Sequence, residues 1–370
     1  MKKIFKFILP AVALVAMTAC DSGASVSKAG VEAGGTVVAK ENNAVAATEL
    51  SSVATATMGA LSNDFGFTLS STGASVDVGL EAGGSVKVDV NPFTLDMGIK
   101  NFAQENMMLG AHSQNGLEVG LNARVPLFPD EQGNPKLSTI KTTLKTGEYG
   151  AYMVNGNLYV DASNLNTADV IRDVFDVIAE AAKIPPDQKD QYLPAISGMI
   201  PTLKFFAEVG TPEVDMTGIE QYSRYLNADT IAQYLAIADA YKIDISSILN
   251  FYTYEDGRFG LTINVSKAKV LDILKSVQGE AYDANAIPAG LDFAASLAIM
   301  ANPNKTIKSI ELNASVDLQS SEELSLDGVS YLHVRENAKV ELSYGRCPVN
   351  FPTSFDGYTN VEELMRSLPL

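Results

Sequence analysis

Three residue types that enzymes and metal sites often use are scarce in this sequence. The chain of 370 residues contains no tryptophan, two cysteines and two histidines. His112 and His333 lie too far apart to form a local zinc-binding pair, and we interpret both as structural residues of strands. The sequence also lacks a Gly-x-Ser-x-Gly elbow, a Walker loop and a dinucleotide-binding fingerprint. It therefore predicts a protein that is not an enzyme and that uses no cofactor and no metal.

Positive charge is scarce as well. The chain has 27 lysine and arginine residues against 44 aspartate and glutamate residues, which gives a formal net charge of −17. A surface of this sign repels phosphate, so the sequence predicts no nucleic-acid partner and no electrostatic attraction to a lipid surface. The missing tryptophan argues against a sugar-binding platform.

The first 21 residues carry the most specific signal. Two lysines precede an apolar run, Ile4 to Ala16, which is shorter than the roughly 20 residues needed to span a bilayer. A basic start, a short apolar core and small residues before a cleavage site describe a secretory signal peptide. The run ends in Met17-Thr18-Ala19-Cys20, which resembles the lipobox of bacterial lipoproteins.

The lipobox resemblance implies that residues 1–19 are a signal peptide and that Cys20 is acylated, including with palmitate. Several acyl chains, at about 0.8 kcal/mol per buried CH2, would anchor the protein to a membrane of the bacterial cell envelope, on its periplasmic or extracellular face. Asp21 resembles the inner-membrane retention signal of proteobacterial lipoproteins, but other phyla use other rules, so the anchoring membrane stays open. The alternative is an ordinary secreted protein with an unmodified Cys20. If Cys20 is acylated, Cys347 has no disulfide partner, and we interpret it as a buried, unreactive thiol.

Residues 20–60 are rich in small residues and contain no aromatic side chain. A segment of this composition buries little apolar surface, so we predict a flexible tether between the membrane and the folded domain. A weak helix over Ala44 to Leu61 is the alternative, because alanine is frequent there.

From residue 63 onward, apolar residues recur at every second position, as in Phe65-Gly-Phe67-Thr-Leu69 and Val86-Lys-Val88-Asp-Val90. This period indicates an antiparallel sheet with one solvated face. Long strands return over Leu291–Ala301, Thr306–Leu318 and Val329–Ser343. We predict an α+β domain over residues 63–345, followed by a loop-like C-terminal tail, 346–370, with a short helix from Val361.

A hairpin followed by a helix occurs twice. Tyr152–Ile178 contains the turn Asn155-Gly156, and Tyr254–Val277 contains Asp256-Gly257; each then continues into a polar cap and an amphipathic helix. A true duplication and two uses of a common motif are both open. Residues 186–250 are predicted to be mainly helical, with prolines dividing the segment.

The order of these elements, with Tyr152-Met-Val-Asn-Gly-Asn-Leu-Tyr-Val160 before the helix at Thr167 and a long strand at Thr306–Leu318, resembles bacterial lipoproteins of the LolA, LppX and LprG type. The resemblance covers roughly residues 63–345. It implies a long, curved antiparallel sheet, a half-open barrel with helices on one face, that carries acyl chains in the gap.

The sequence and the resemblance together predict an envelope lipoprotein that binds a lipid or other hydrophobic ligand between the sheet and the helices of residues 167–250. The alternative is a non-catalytic surface or structural lipoprotein with a solid core that acts through protein contacts; no particular protein partner is indicated. The residues that we expect to line the ligand site are Phe175, Ile178, Tyr192, Met199, Phe206, Tyr234 and Leu235.

Overall fold

The structure is a computed structural model. It describes residues 32–39, 42–61, 64–81, 83–102, 104–129, 133, 135–198, 203–210, 227–240, 246, 248–279, 283, 287–321 and 328–367. These residues form an α+β fold in which a large, mostly antiparallel sheet carries the helices, so the predicted fold class is confirmed at this level.

The described part of the chain contains 16 strands and six helices. The strands are β1 (Thr36–Val37), β2 (Phe65–Leu80), β3 (Ser85–Val90), β4 (Phe93–Lys100), β5 (Met108–Ser113), β6 (Glu118–Pro129), β7 (Pro135–Lys145), β8 (Tyr149–Val154), β9 (Asn157–Asp161), β10 (Lys204–Glu208), β11 (Leu249–Thr253), β12 (Phe259–Ser266), β13 (Leu291–Ala301), β14 (Ile307–Gln319), β15 (Val329–Tyr344) and β16 (Thr359–Asn360). The helices are α1 (Asn43–Ala60), α2 (Thr167–Ala181), α3 (Pro186–Gly198), α4 (Ala228–Ala240), α5 (Lys267–Gln278) and α6 (Val361–Ser367).

The sheet forks along its central strand. β2 is 16 residues long and pairs along one edge with β15, which is equally long. Its other edge is shared, because β4 pairs with the first half of β2 and β3 pairs with the second half. One arm then runs β4-β5-β8-β9-β10-β16 and the other runs β3-β6-β7, while β15 leads away through β14, β13, β12 and β11 to β1.

A β-bulge lies at the fork. The register between β2 and β15 shifts at Asn337, which is opposite Gly73, while the next residue, Ala338, is opposite Ser71. Gly73 has a φ of 124°, a conformation that residues with a Cβ rarely adopt. The glycine therefore lets β2 bend between the two arms.

The two faces of the sheet differ in polarity. On β14, Ile310, Leu312 and Val316 point to one side, which we call the apolar face, and Glu311 and Asp317 point to the other, which we call the polar face. Residues directly opposite each other in an antiparallel ladder share a face, so the register extends this assignment from strand to strand.

Helices pack on the apolar face near two of its ends. At one end, Ala46 and Val53 of α1 and Leu235 of α4 form a buried cluster with Phe251 and Leu261 of β11 and β12. At the end of the β3-β6-β7 arm, α2 packs on β7. There the hydroxyl of Thr142, on the apolar face, donates a hydrogen bond of 2.8 Å to Asp173 of α2.

The prediction of a flexible tether through residue 60 is wrong for residues 43–60, where the alternative, a helix, is confirmed. Ala46 and Ala47 of α1 are 0% and 1% exposed, because small side chains let α1 lie close to the sheet and to α4. Lys305 Nζ also lies 2.6 Å from the carboxylate of Glu49. The segment is therefore part of the domain core.

Both hairpin–helix units form. Asn155 and Gly156 have φ values of 49° and 78°, which places both central residues of this two-residue turn in the left-handed region, as a type I′ turn requires. The second hairpin has a longer loop, in which only Gly257 is left-handed and its N–H donates to the carbonyl of Tyr254. Ser266 caps α5 by accepting a hydrogen bond from the N–H of Lys269.

The prediction that residues 186–250 are mainly helical is wrong for Lys204–Glu208. This segment is the strand β10, which pairs with β9 on one side and, in parallel, with β16 on the other. Its sequence, Lys-Phe-Phe-Ala-Glu, can satisfy its backbone hydrogen bonds on the open edge of the β8–β9 hairpin, so tertiary pairing decides its conformation.

The C-terminal segment, residues 346–358, is a strap across the polar face of β2, β4, β5, β8 and β9. Gly66, Gly98 and Gly110 lie opposite one another on β2, β4 and β5 and form a track for it. A Cβ atom on Gly98 would lie 2.7 Å from the sulfur of Cys347, and one on Gly110 would lie 2.7 Å from Val349. The strap can therefore contact the sheet backbone only because these positions lack side chains.

Candidate functional site

Apolar side chains cross the middle of the apolar face in rows, one residue per strand. One row contains Val316, Val334, Val76, Val88 and Leu121, on β14, β15, β2, β3 and β6. The row beside it is Ala314, Glu336, Ala74, Val90 and Val119. The register also places Phe293 of β13 opposite Val316, so the first row crosses six strands and is about 24 Å long, at roughly 4.8 Å between neighbouring strands.

This part of the apolar face is accessible from outside. Val76 is 38% exposed, although β2 has neighbours along both edges. Val316 and Val334 are only half-buried, whereas Ala314 and Ala338 are buried. The rows between the two groups of helices are therefore only partly covered.

Glu336 is a charged residue among the apolar residues of these rows. On strands β2–β6 and β8–β15, it is the only charged residue that the ladder register places on the apolar face. On β7, the register adds Lys136, which is exposed at the far end of that strand. A carboxylate in apolar surroundings is costly, so its presence calls for a partner.

The carboxyl group of Glu336 has no hydrogen bond or ion pair to the residues that the structure describes. Burial raises the pKa of Glu336 above its ordinary value, since a half-buried carboxyl group is harder to ionise. Glu341, on the polar face of the same strand, has an ordinary setting, with Lys339 Nζ 2.5 Å from its carboxylate. The contrast separates Glu336 from the solvated carboxylates of the sheet.

Small residues surround Glu336 on its own face. Ala314 and Ala74 lie directly opposite it on the two neighbouring strands, and Ala338 follows it on β15. Ala314 and Ala338 are themselves buried, whereas Ala74 and Glu336 are only half-buried, so the carboxyl group can be reached from the side of β2. The site is therefore a half-buried acid within a strip of apolar side chains, and it suits a ligand that is itself mainly apolar.

The residues predicted to line the ligand site lie in separate parts of the structure. Phe175 and Ile178 are half-buried on α2, near β7, and Leu235 is 5% exposed in the α1–α4 cluster. Tyr192 on α3 is 53% exposed. Phe206 lies on the polar face, in the row of Tyr152 and Tyr159. Met199, the side chain of Tyr234, and Cys20 lie outside the described residues.

Glu336 was absent from that prediction, although the sequence contains a signal for it. Leu332, Val334, Ala338 and Val340 follow the apolar period of β15, and Glu336 occupies the one position among them that breaks it. A charged residue at a position that the period-two alternation assigns to the apolar face is such a signal, because it must lie beside the apolar side chains.

An aromatic cluster lies under the strap on the polar face. The rings of Tyr159 and Phe355 stack with centroids 4.0 Å apart, and Lys204 Nζ lies 4.8 Å from the centroid of Tyr358. Burial raises the pKa of Tyr152, which contacts the same rings, to about 12. The strap fills this surface with its own side chains, so the cluster explains how the C-terminal segment is held.

The residues most often used in catalysis are engaged elsewhere. His112 is buried and its Nε2 lies 3.0 Å from Glu148, while His333 contacts Asp317. Burial raises the pKa of the half-buried Cys347 thiol, in agreement with its interpretation as an unreactive thiol. Among the described residues, no group of three or more His, Cys, Asp and Glu side chains could hold a metal ion.

No protein-family model matches the chain, and a search of curated proteins finds no relative. None of the helices in the described part of the chain is long and apolar enough to cross a membrane.

Proposed function

We propose that this protein is a lipid-anchored protein of the bacterial cell envelope that binds a lipid or other hydrophobic ligand on its apolar face. The sheet acts as a half-open barrel, with α1 and α4 at one end of the ligand site and α2 at another. The observation that carries the proposal is the accessible strip of apolar side chains around Val76 on an inner strand of the sheet.

The energetics favour an acyl chain as the occupant. Each CH2 group moved from water to the row of Val316, Val334 and Val76 contributes about 0.8 kcal/mol. A flat apolar row imposes few demands on a ligand beyond shape and apolar character. Apolar side chains of the strip that stay in contact with water are unfavourable by a similar amount per CH2 group, which favours the ligand-bound state.

The anchor is proposed to be an acyl modification of Cys20. A Cys20→Ser variant should lose incorporation of labelled palmitate and move from the membrane fraction to the soluble fraction. A Cys347→Ser variant has the same chemical change near the other end of the chain and should keep both properties. Palmitate incorporation that survives in the Cys20→Ser variant would exclude this anchor.

Ligand binding can be tested by placing a charge in the strip. Val76→Asp puts a carboxylate on the exposed surface of the apolar row and should weaken binding of a fluorescent hydrophobic probe at least about tenfold, or about 1.4 kcal/mol. Val277→Asp is the matched control, because Val277 is 48% exposed on α5. Equal probe binding by both variants would favour the alternative, a protein that acts through protein contacts.

A further inference from the structure

The polar group of the ligand can be inferred from the charges on the apolar face; this step rests on the proposed function. A hydrocarbon chain lying along the strip would cover Glu336 and remove its remaining contact with water. An ionised carboxylate covered in this way, without a partner, is strongly disfavoured. The ligand must therefore either provide a partner for the Glu336 carboxylate or leave it in contact with water.

An anionic head group does not fit this surface. On strands β2–β6 and β8–β15, the register places no lysine or arginine on the apolar face. The carboxylate of Asp173, which α2 brings to Thr142, adds negative charge on the same face. A carboxylate or phosphate head group would meet repulsion from Glu336 without a compensating cation.

A cationic head group fits it. An ammonium group has three donors and a full positive charge, so it can form a charge-assisted hydrogen bond with a carboxylate. Glu336 and Ala74 are half-buried, and Val76, two residues from Ala74 on the same face, is 38% exposed, so an ammonium group can approach the carboxylate from the side of β2. Partial burial strengthens the attraction, because solvent screens such a pair less than an exposed one.

We propose that the ligand of the apolar face is a single-chain amphiphile with a primary ammonium head group, whose ammonium pairs with the Glu336 carboxylate while its chain lies along the row of Val316, Val334 and Val76. The acid then has a specific role. The carboxylate selects the head group of the ligand. The valine row contributes affinity that depends little on the exact structure of the ligand's hydrocarbon chain.

The test compares three probes that share a chain and differ in head group: dodecylamine, dodecanol and dodecanoate. Displacement of a fluorescent hydrophobic probe is measured at neutral pH, below micelle formation, with the chain from residue 20 onward carrying Cys20→Ser. The protein should bind dodecylamine at least about tenfold more tightly than dodecanol, which corresponds to about 1.4 kcal/mol. It should bind dodecanoate most weakly.

Glu336→Gln should bring the affinities for dodecylamine and dodecanol to within about twofold of each other, since the charge pair is worth most of the difference. Glu341→Gln is the matched control. It removes the same charge from the same strand but on the polar face, so it should keep the preference for the amine.

The outcomes separate the two proposals. Dodecanol binding without a preference for dodecylamine, a preference for dodecanoate, or an unchanged preference in Glu336→Gln would overturn the ammonium-ligand inference and leave hydrophobic binding intact. If neither the fluorescent probe nor any of the three amphiphiles binds the unsubstituted protein, the proposed function itself fails. The head-group preference of the unsubstituted protein is informative even if Glu336→Gln does not fold.

Discussion

The ring of Tyr159 on β9 stacks on the ring of Phe355 in the strap, with centroids 4.0 Å apart and planes inclined by 24°. These residues are far apart in sequence, so their contact fixes the C-terminal segment to the polar face. The strap crosses several strands of one arm, and its contacts connect them independently of the backbone ladder. The described C-terminal residues are therefore part of the folded domain.

Removing the Phe355 ring should loosen the strap. We expect Phe355→Ala to lower the free energy of unfolding by about 2 kcal/mol, less than a fully buried phenylalanine would lose, because Phe355 is half-buried. Urea denaturation provides the measurement. Tyr192→Ala removes an exposed ring and should change the same quantity by about 0.5 kcal/mol or less. Equal effects of the two substitutions would show that the strap contributes little to stability.

A side chain on the glycine track should displace the strap. In Gly98→Ala, the added Cβ would lie 2.7 Å from Cys347 Sγ and 3.0 Å from the carbonyl oxygen of Phe65. We expect stability to fall by about 1–3 kcal/mol and Cys347 to react faster with a thiol reagent. Gly59→Ala, at a helical position with nothing within 4 Å, should leave the thiol rate unchanged and stability the same or slightly higher. If Cys347 in Gly98→Ala reacts with the thiol reagent no faster than in the unsubstituted protein, this arrangement of the strap is contradicted.

The burial of α1 predicts that an aspartate substitution lowers stability far more at Ala46 than at its neighbour Val45. Ala46→Asp would place a charge in a cluster with Leu235 and Phe251, and we expect it to cost more than about 3 kcal/mol. Val45→Asp introduces the same charge one residue earlier, where the side chain is 46% exposed, and should cost about 1 kcal/mol or less. Thermal unfolding distinguishes the two. Similar melting temperatures would restore the tether interpretation of this segment.

The pKa of Glu336 predicts how stability depends on pH. Since burial raises this pKa in the folded state, the folded protein binds the proton more tightly than the unfolded chain does. The contribution of Glu336 to the free energy of unfolding is therefore fully present below the pKa that Glu336 has in the unfolded chain. It is lost as the pH rises through the pKa that Glu336 has in the folded protein. Glu336→Gln cannot ionise, so we expect it to be more stable than the unsubstituted, ligand-free protein at neutral pH and equally stable in acid.

Asp161 supplies a control of opposite sign. Burial raises its pKa, but hydrogen bonds from Ser163 and the nearby Lys204 lower it by more, so the net shift is downward. Asp161→Asn should therefore be less stable than the unsubstituted protein at neutral pH, and the difference should disappear as the pH falls through the folded pKa. Urea denaturation at a series of pH values measures both variants. A Glu336→Gln variant that is less stable at neutral pH would contradict the burial of an unpaired acid.

The sequence predicts the local elements well because their signals are local. The period-two pattern of β13, β14 and β15 identifies each strand to within a residue or two, and Asn155-Gly156 identifies the first hairpin turn. An asparagine before a helical segment is also a local signal, and the Asn227 side chain accepts a hydrogen bond from the N–H of Thr230 at the start of α4.

Features that depend on distant pairing were not predictable in the same way. The glycine track exists only when β2, β4 and β5 align in one register, and no single strand contains that information. The burial of α1 depends on small residues that show no strong apolar stripe. Phe206 belongs to the polar face because β10 joins β9, whereas a helix would have turned it elsewhere.

Native mass spectrometry tests most directly whether the apolar face holds a hydrophobic ligand. The chain from residue 20 onward, with Cys20→Ser, would be purified from a bacterium without detergent, and an organic extract of the same sample would be analysed for lipids. We predict a stoichiometric adduct that organic extraction recovers as an amphiphile. A bare-chain mass that stays unchanged after incubation with bacterial phospholipids and dodecylamine would contradict the account.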